Sequence, residues 1–348
     1  MTGGSTLVAV TGATGFIASH LIAELLAAGY RVRGTVRQVD RAAEHRHLTT
    51  LPGAAERLEL VEADLLVPGS FDRAVQGVDA VFHTASPFVI SVRDPQRDLV
   101  DPALQGTQNV LRAAAASPGV RRVVLTSSFV AVTDGPRTGY VFTEADWNTD
   151  STLLRNTYSY SKTVAERAAW DFMAQAAPGF DLVAINPYLV VGPQLAPRLS
   201  GSNQILADIL AGVYPGIIDI DFGIVDVRDV VRAHRLALET PGANGRYICA
   251  GDVLSMREIV AAMREAVPDA RRLPTRSLDG RVGTVLARGA AYMRPVGERA
   301  FLRTHLGQRV QYDTSRIQRD LGMEFRPAPE ALADAARYLV GLRDGRAG

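Results

Sequence analysis

Tyr158-Ser159-Tyr160-Ser161-Lys162 places two proton-handling side chains at helical spacing. Tyr158 and Lys162 stand four apart, so on a helix they share one face. An ammonium beside a phenol favours the phenolate, bringing a pKa of about 10 toward working pH and making the hydroxyl a usable proton donor or acceptor. The 38 Lys and Arg residues of the chain are 37 arginines and one lysine, Lys162. Every other cationic position is arginine, so this one asks for what lysine alone supplies: a compact ammonium on a flexible stem, with a pKa that burial can shift. A Tyr/Lys pair on a solvated helix face has the same spacing, and only its context separates the two readings. Ser127-Ser128 supplies part of that context. A hydroxyl at the end of the strand-like run Arg122–Thr126 can donate to a substrate oxygen while Tyr158 protonates it. The same two serines alone would be ordinary turn chemistry.

The elements that must position these groups begin at the amino terminus. Leu7–Val10 reads as a buried strand and runs straight into Thr11-Gly12-Ala13-Thr14-Gly15-Phe16-Ile17-Ala18. A helical pattern through Leu21, Ile22, Leu25 and Leu26 then stops at Gly29, and Arg31–Val36 reads as a second strand. Strand, glycine turn, helix and strand is the setting of a dinucleotide loop. Gly12 permits the tight turn, Gly15 lets backbone approach a pyrophosphate, and Ala18 allows close helix–strand contact. The helix start offers its N–H groups to the phosphates. The spacing is Gly-x-x-Gly-x-x-Ala rather than Gly-x-Gly-x-x-Gly. An NAD site would place an acid near the end of the second strand, for the ribose 2′-OH. This chain has Gly34-Thr35-Val36-Arg37, and a guanidinium can pair with a 2′-phosphate, so NADP(H) is expected rather than NAD.

Further strands are expected at 58–61, 80–83, 122–126 and 182–185. Asp64-Leu65 follows the first of these, where a carboxylate could accept from an adenine amine. Thr84-Ala85-Ser86-Pro87-Phe88 opens from the next, with small residues against which a flat cofactor can lie. His83 is expected to be a packed core histidine. Asn109, in a helix over 102–116, is either a helix-surface amide or a group that orients the lysine through water. A loop over 133–156 containing Trp147 is long enough to be functional. Strands alternating with helices throughout 1–187 argue a Rossmann-type doubly wound parallel sheet of α/β class. Residues 188–348 are expected to form a smaller, mainly helical substrate lobe, with 217–240 returning to the first domain.

The remaining composition is bland. With 22% charged residues, 47% apolar ones and a formal net charge of +1, there is no electrostatic footprint for nucleic acid or anionic membrane. Cys249 is the only cysteine, so no intramolecular disulfide forms. The start shows no signal-peptide pattern, and no stretch is long and apolar enough to span a bilayer. The expectation is a cytoplasmic protein without a metal, acting on a small molecule as a monomer or homodimer.

With these residues in place, the chain resembles the extended short-chain dehydrogenase/reductases, and within them the dihydroflavonol 4-reductase, cinnamoyl-CoA reductase and yeast-type carbonyl (methylglyoxal) reductase group. The resemblance runs through 10–20, 34–37, 63–65, 81–88, 123–128, 158–170, 186–193 and 226–229. It implies NADPH-dependent reduction of an aldehyde or ketone to an alcohol, a reaction that also runs backward as alcohol oxidation. By position it implies Ser128 as the catalytic serine, Tyr158 as general acid, and Lys162 as the group that binds the nicotinamide ribose and lowers the tyrosine pKa. Around NADPH it implies Gly12, Thr14, Gly15, Phe16, Ile17, Arg37, Asp64, Leu65, Thr84, Ala85, Ser86, Pro187, Leu189 and Ser202, together with Tyr158 and Lys162. Thr133 and Gly223 fall at the family's substrate positions, and Phe88, Phe129, Tyr188 and Ile217-Ile218 either line a fairly apolar pocket, suited to aryl or alkyl carbonyls, or belong to the core. Flavonoid reductases carry asparagine where this chain has Thr133 and glutamine near Gly223, so both polar hooks for flavonoid hydroxyls are missing. Of the cinnamoyl-CoA reductase pattern Asn-Trp-Tyr-Cys-Tyr-Gly-Lys, Asn156, Tyr158, Tyr160 and Lys162 match, but Thr157, Ser159 and Ser161 do not. Hydroxysteroid dehydrogenases and redox-neutral sugar-nucleotide epimerases or dehydratases share the superfamily and stand as the alternatives. A dinucleotide-sensing regulator is a third.

Overall fold

A computed structural model describes residues 6–86, 94–196, 198–290, 292 and 296–345. Seven parallel strands form the central sheet: β1 (Leu7–Val10), β2 (Arg31–Val36), β3 (Leu58–Glu62), β4 (Ala80–His83), β5 (Arg122–Thr126), β6 (Asp181–Pro187) and β9 (Gly245–Cys249). Their spatial order is β9-β6-β5-β4-β1-β2-β3. The order reverses between β1 and β4, and in an open α/β sheet that reversal leaves a crevice at the carboxyl ends of the strands. Both faces of the sheet are covered, which is why its strands read as short apolar runs rather than as alternating ones.

Helix α1 (Phe16–Ala27) buries Ala18, Leu21, Ile22, Leu25 and Leu26, one stripe at helical period, and its chain reverses at Gly29 with φ +87°. The other face carries α2 (Asp101–Ala115) and α3 (Thr157–Ala176). Helix α3 spans 20 residues, about 30 Å, and brings Tyr158 and Lys162 in with its first two turns.

Strands β7 (Leu189–Val191), β8 (Asp221–Asp226) and β10 (Val253–Ser255) make a separate small sheet in the order β10-β8-β7. Around it pack α4 (Gly201–Ala211), α6 (Met256–Ala266) and α7 (Ala328–Arg343), with Leu206, Ile209, Phe222, Ile259, Ala331 and Leu332 in one apolar core. Ser255 and Glu258 close a reciprocal capping box at the start of α6. The segment 217–240, expected to return to the first domain, divides between the two sheets' surroundings. Strand β8 belongs to the small sheet, whereas α5 (Val227–Glu239) lies against α1, tied by Arg235 to Glu24 (2.8 Å) and by Tyr30 to Glu239 (2.9 Å). Strand β9 then rejoins the large sheet, an element the sequence reading does not contain. Among the described residues no helix is long and apolar enough to cross a membrane.

Candidate active site

Strands β1 to β6 deliver their carboxyl ends to one edge of the sheet, and the expected loops leave from that edge. Gly12 holds φ +67°, and a Cβ added there would stand 3.0 Å from the Cβ of Ala85 and 3.1 Å from its Cα. The turn after β1 therefore touches the turn after β4, and only glycine fits between them. Thr11 joins the same two turns: its Oγ accepts from the N–H of Thr84 (3.1 Å) and of Ala85 (3.0 Å). With both acceptor directions used, its proton goes to His83 Nδ1 at 3.0 Å, so the ring carries its own proton on Nε2, toward Thr107 Oγ at 3.4 Å. Burial, then the charge of Lys162, pushes the His83 pKa down to about 3. It is a neutral core histidine. Gly15 is the N-cap of α1 and carries no side chain to satisfy the first-turn N–H groups, which leaves them for an anion. Thr14 and Gly15 are exposed, and Phe16 and Ile17 half-buried. Gly12→Ala is expected to lower dinucleotide affinity at least tenfold and to destabilise the fold by about 1–3 kcal/mol, since it combines a left-handed backbone with a clash. Isothermal titration and thermal melting of that variant check both.

Arg37, just past β2, is exposed and forms no hydrogen bond or ion pair among the described residues. Asp64 is held locally, its Oδ1 accepting from Leu66 N–H at 2.8 Å. Gly106 and Asn109 explain why that loop sits where it does. A Cβ on Gly106 would lie 2.8 Å from Leu65, and the Asn109 amide donates to the Leu65 carbonyl at 2.8 Å. Asn109 is buried, so it is not a surface amide; besides its bond to Leu65, its Oδ1 accepts from Arg112 at 3.2 Å. Ser86 is half-buried at the exit of β4, Pro187 ends β6, and Leu189 opens β7. Ser202 lies in the first turn of α4, whose N-cap is Ser200.

Ser128 follows β5, where its Oγ accepts from Val130 N–H at 3.4 Å. The Ser128 hydroxyl lies close enough to the Tyr158 phenol to oppose the rise of its pKa, and Lys162 Nζ lies 6.0 Å from the centre of the Tyr158 ring. Three residues from two separate elements thus meet at the sheet edge. Their electrostatics differ from expectation. Desolvation pushes the Tyr158 phenol up to about 12, with Ser128 opposing, and the ammonium does not bring it toward neutrality. The side chain is still 38% exposed, so water in the open cleft softens that rise. Burial, opposed by Glu166, pulls Lys162 down to about 8. A phenol kept protonated serves as an acid, and a buried ammonium sits near its midpoint.

Of the expected substrate positions, Phe88 lies outside the described residues. Phe129 is core, fully buried with its ring 4.5 Å from Tyr188 and 5.3 Å from Tyr312. The Thr133 hydroxyl is turned back on its own loop, donating to the Gly135 carbonyl at 2.7 Å. Tyr188 is half-buried. A Cβ on Gly223 would stand 2.6 Å from the Tyr312 hydroxyl and 3.0 Å from Tyr188. Tyr312 is absent from the sequence reading: it comes from a two-residue strand, Gln311–Tyr312, paired with Val141–Phe142. Nothing local in the sequence marks it. Glu166 and Arg246 are absent too. Glu166 is buried, accepts from Ser127 Oγ and pairs with Arg246 at 2.7 Å. Extending the period Tyr158, Lys162 by one more turn would have found it.

A glycine-turned dinucleotide crevice, with serine, tyrosine and lysine at the strand ends beside it, defines a nucleotide-dependent oxidoreductase. The family model for NAD dependent epimerase/dehydratase proteins matches residues 8–251, and the chain belongs to that family, the extended short-chain dehydrogenase/reductases. It is 44% identical over 280 residues to the cinnamoyl-CoA reductase CAD2 of Medicago truncatula, a match that covers 78% of this chain and 84% of that one. With tetraketide alpha-pyrone reductase 1 of Arabidopsis thaliana it shares 37% identity over 342 residues, covering 96% and 95%. The crystal structure of yeast methylglyoxal/isovaleraldehyde reductase complexed with NADPH superposes with a TM-score of 0.80 at 28% identity, covering 98% of this chain and 100% of that one.

Proposed function

We propose that the protein is an NADPH-dependent reductase of aldehydes and ketones, also able to oxidise the corresponding alcohols. The observation that carries this reading is the placement of Ser128, at the end of β5, beside the Tyr158 phenol, with the chain's single lysine one turn further on. The start of α1 fits a dinucleotide, because Gly15 carries no capping side chain and leaves the first-turn N–H groups open to a pyrophosphate. When bound, NADPH supplies the hydride. Tyr158 donates its proton to the carbonyl oxygen as negative charge develops, and Ser128 holds that oxygen with a second hydrogen bond. Lys162, as an ammonium, steadies the phenolate left on Tyr158. Arg37, uncommitted among the described residues, would hold the 2′-phosphate through its planar fork.

The test is consumption of NADPH and of NADH by purified protein with and without a carbonyl panel: a 2-oxoaldehyde, a β-ketoester, an aryl ketone, an aromatic aldehyde and a flavanone. NADPH loss that depends on a carbonyl supports the reading. Cofactor bound but never consumed, whatever the acceptor, overturns it in favour of a redox-neutral enzyme or a sensor. The pH profile carries a separate expectation. Tyr158 stays protonated up to about 12, whereas Lys162 loses its charge through about 8. Reduction is therefore expected to be full below pH 8 and to decline as pH rises through it, measured as kcat against pH at saturating NADPH.

A further inference from the structure

The side chain of Glu166 is wholly buried and accepts hydrogen bonds from four residues: from Ser127 Oγ, Asn186 Nδ2 (2.8 Å), Arg246 through Nε (2.7 Å) and Nη2 (3.4 Å), and Trp170 Nε1 (3.3 Å). Stability alone is a weak reason to bury such a pair, since well-packed apolar residues of similar volume often do as well or better. What distinguishes this carboxylate is where its partners come from. Ser127 is the residue before Ser128 on the exit of β5. The Asn186 amide that reaches Glu166 also donates to the Ser128 carbonyl at 3.1 Å. Arg246, from β9, donates to the carbonyls of Glu144 (3.0 Å) and Asp146 and stacks 3.9 Å from the ring of Trp147, holding the loop that leads into α3. Glu166 itself is on α3, one turn beyond Lys162 and two beyond Tyr158. A shift of α3 by even one hydrogen-bond length relative to β5 would break several of these contacts at once.

We propose that Glu166 is a positioning residue: one buried carboxylate locks the helix carrying Tyr158 and Lys162 to the strand end carrying Ser128, and faces the chain's single lysine with a negative charge. This rests on the reductase reading above. The groups around Lys162 are consistent with that assignment of charge. Tyr158 and Glu166 share its helix, and His83 from β4 is neutral. Arg246 from β9 is turned to Glu166. At the start of α3, Asp134 is engaged by Asn156 and Arg155. On α2 and the turn before it, Arg112 is held by Asn109 and Gln108, Arg97 pairs with Asp98, and Asp101 accepts from Gln96.

Because the chain has one lysine, protein grown on lysine labelled with carbon-13 at Cε gives a single side-chain resonance that titrates with Lys162, whether or not a substrate turns over. Two variants separate the parts of the proposal. Glu166→Gln combined with Arg246→Met removes the charge pair without orphaning either ion. Ser127→Ala cuts the link to β5 and leaves both charges in place. In the double variant the lysine midpoint is expected to move down from about 8 by roughly one to two pH units. Its kcat should fall while KM for the carbonyl changes little. Ser127→Ala should lower kcat and leave the lysine midpoint where it was. An unmoved midpoint in the folded double variant overturns the charge assignment. Wild-type kcat in Ser127→Ala overturns the positioning role, and it does so even if the double variant fails to fold. Wild-type protein that reduces no carbonyl counts against the reductase reading instead, while the resonance still decides which charge Lys162 faces.

Discussion

Tyr158→Phe is expected to reduce kcat for carbonyl reduction by about 10²–10⁴-fold, the contribution of a positioned general acid, with NADPH still bound. The substitution removes one oxygen and no packing. The ring position is 38% exposed, the helix around it continues unchanged, and Ser128 keeps its contact with Val130 N–H. What disappears is the only group at the meeting of β5 and α3 that combines a labile proton with a pKa held high, pushed up to about 12 by desolvation. Ser128 remains and can still polarise a carbonyl, so residual turnover at the level of a lone hydrogen-bond donor is expected. Steady-state kinetics with NADPH and the best carbonyl of the panel, beside a fluorescence titration of NADPH binding, measure the two halves. Wild-type kcat in this variant would place the proton donor elsewhere.

Arg37→Asp is expected to lower kcat/KM with NADPH by roughly 10- to 100-fold, as a charge-assisted contact worth about 1.5–3 kcal/mol is lost, and to raise it with NADH. The carboxylate repels a 2′-phosphate and can accept from a 2′-OH, which is how the preference reverses rather than merely weakening. Stability should change by no more than about 0.5 kcal/mol, because Arg37 is exposed and forms no hydrogen bond or ion pair among the described residues. Retained preference for NADPH would mean that another group holds the phosphate. Kinetics with both cofactors on one preparation give the ratio directly.

Sheet and helices were largely legible because they are written in short-range periodicity. Strands at 80–83 and 122–126 follow from short apolar runs and the stripe of α1 from apolar residues three to four apart, with glycine ending the helix. Strand β9 was not legible, since Gly245 and Arg246 interrupt the apolar pattern. Arg246 is buried there only because Glu166, 80 positions earlier, neutralises it. Tyr312 escaped for a similar reason: its two-residue strand exists only by pairing with Val141–Phe142. Its hydroxyl, donated to the Gly251 carbonyl, helps close the space that a side chain on Gly223 would occupy.

What the sequence by itself determined was the kind of chemistry: a glycine turn between a strand and a helix, an arginine in place of an acid after the second strand, and a tyrosine four residues before the single lysine. Each is a local pattern that can be read without the rest of the chain, but its electrostatic consequence cannot: the ammonium four residues from Tyr158 does not bring the phenol toward neutrality. Tertiary structure alone decided where each group's proton rests and which of them touch. Ser128 and Tyr158 are thirty residues apart in the chain and side by side in space. The direction of both pKa shifts comes from desolvation, opposed by Ser128 at Tyr158 and by Glu166 at Lys162, and desolvation is set by how much protein surrounds a group and not by its neighbours in sequence. The same holds for Thr133 and Phe129, whose residue types suited a substrate pocket while their surroundings turned one toward its own loop and the other into the core.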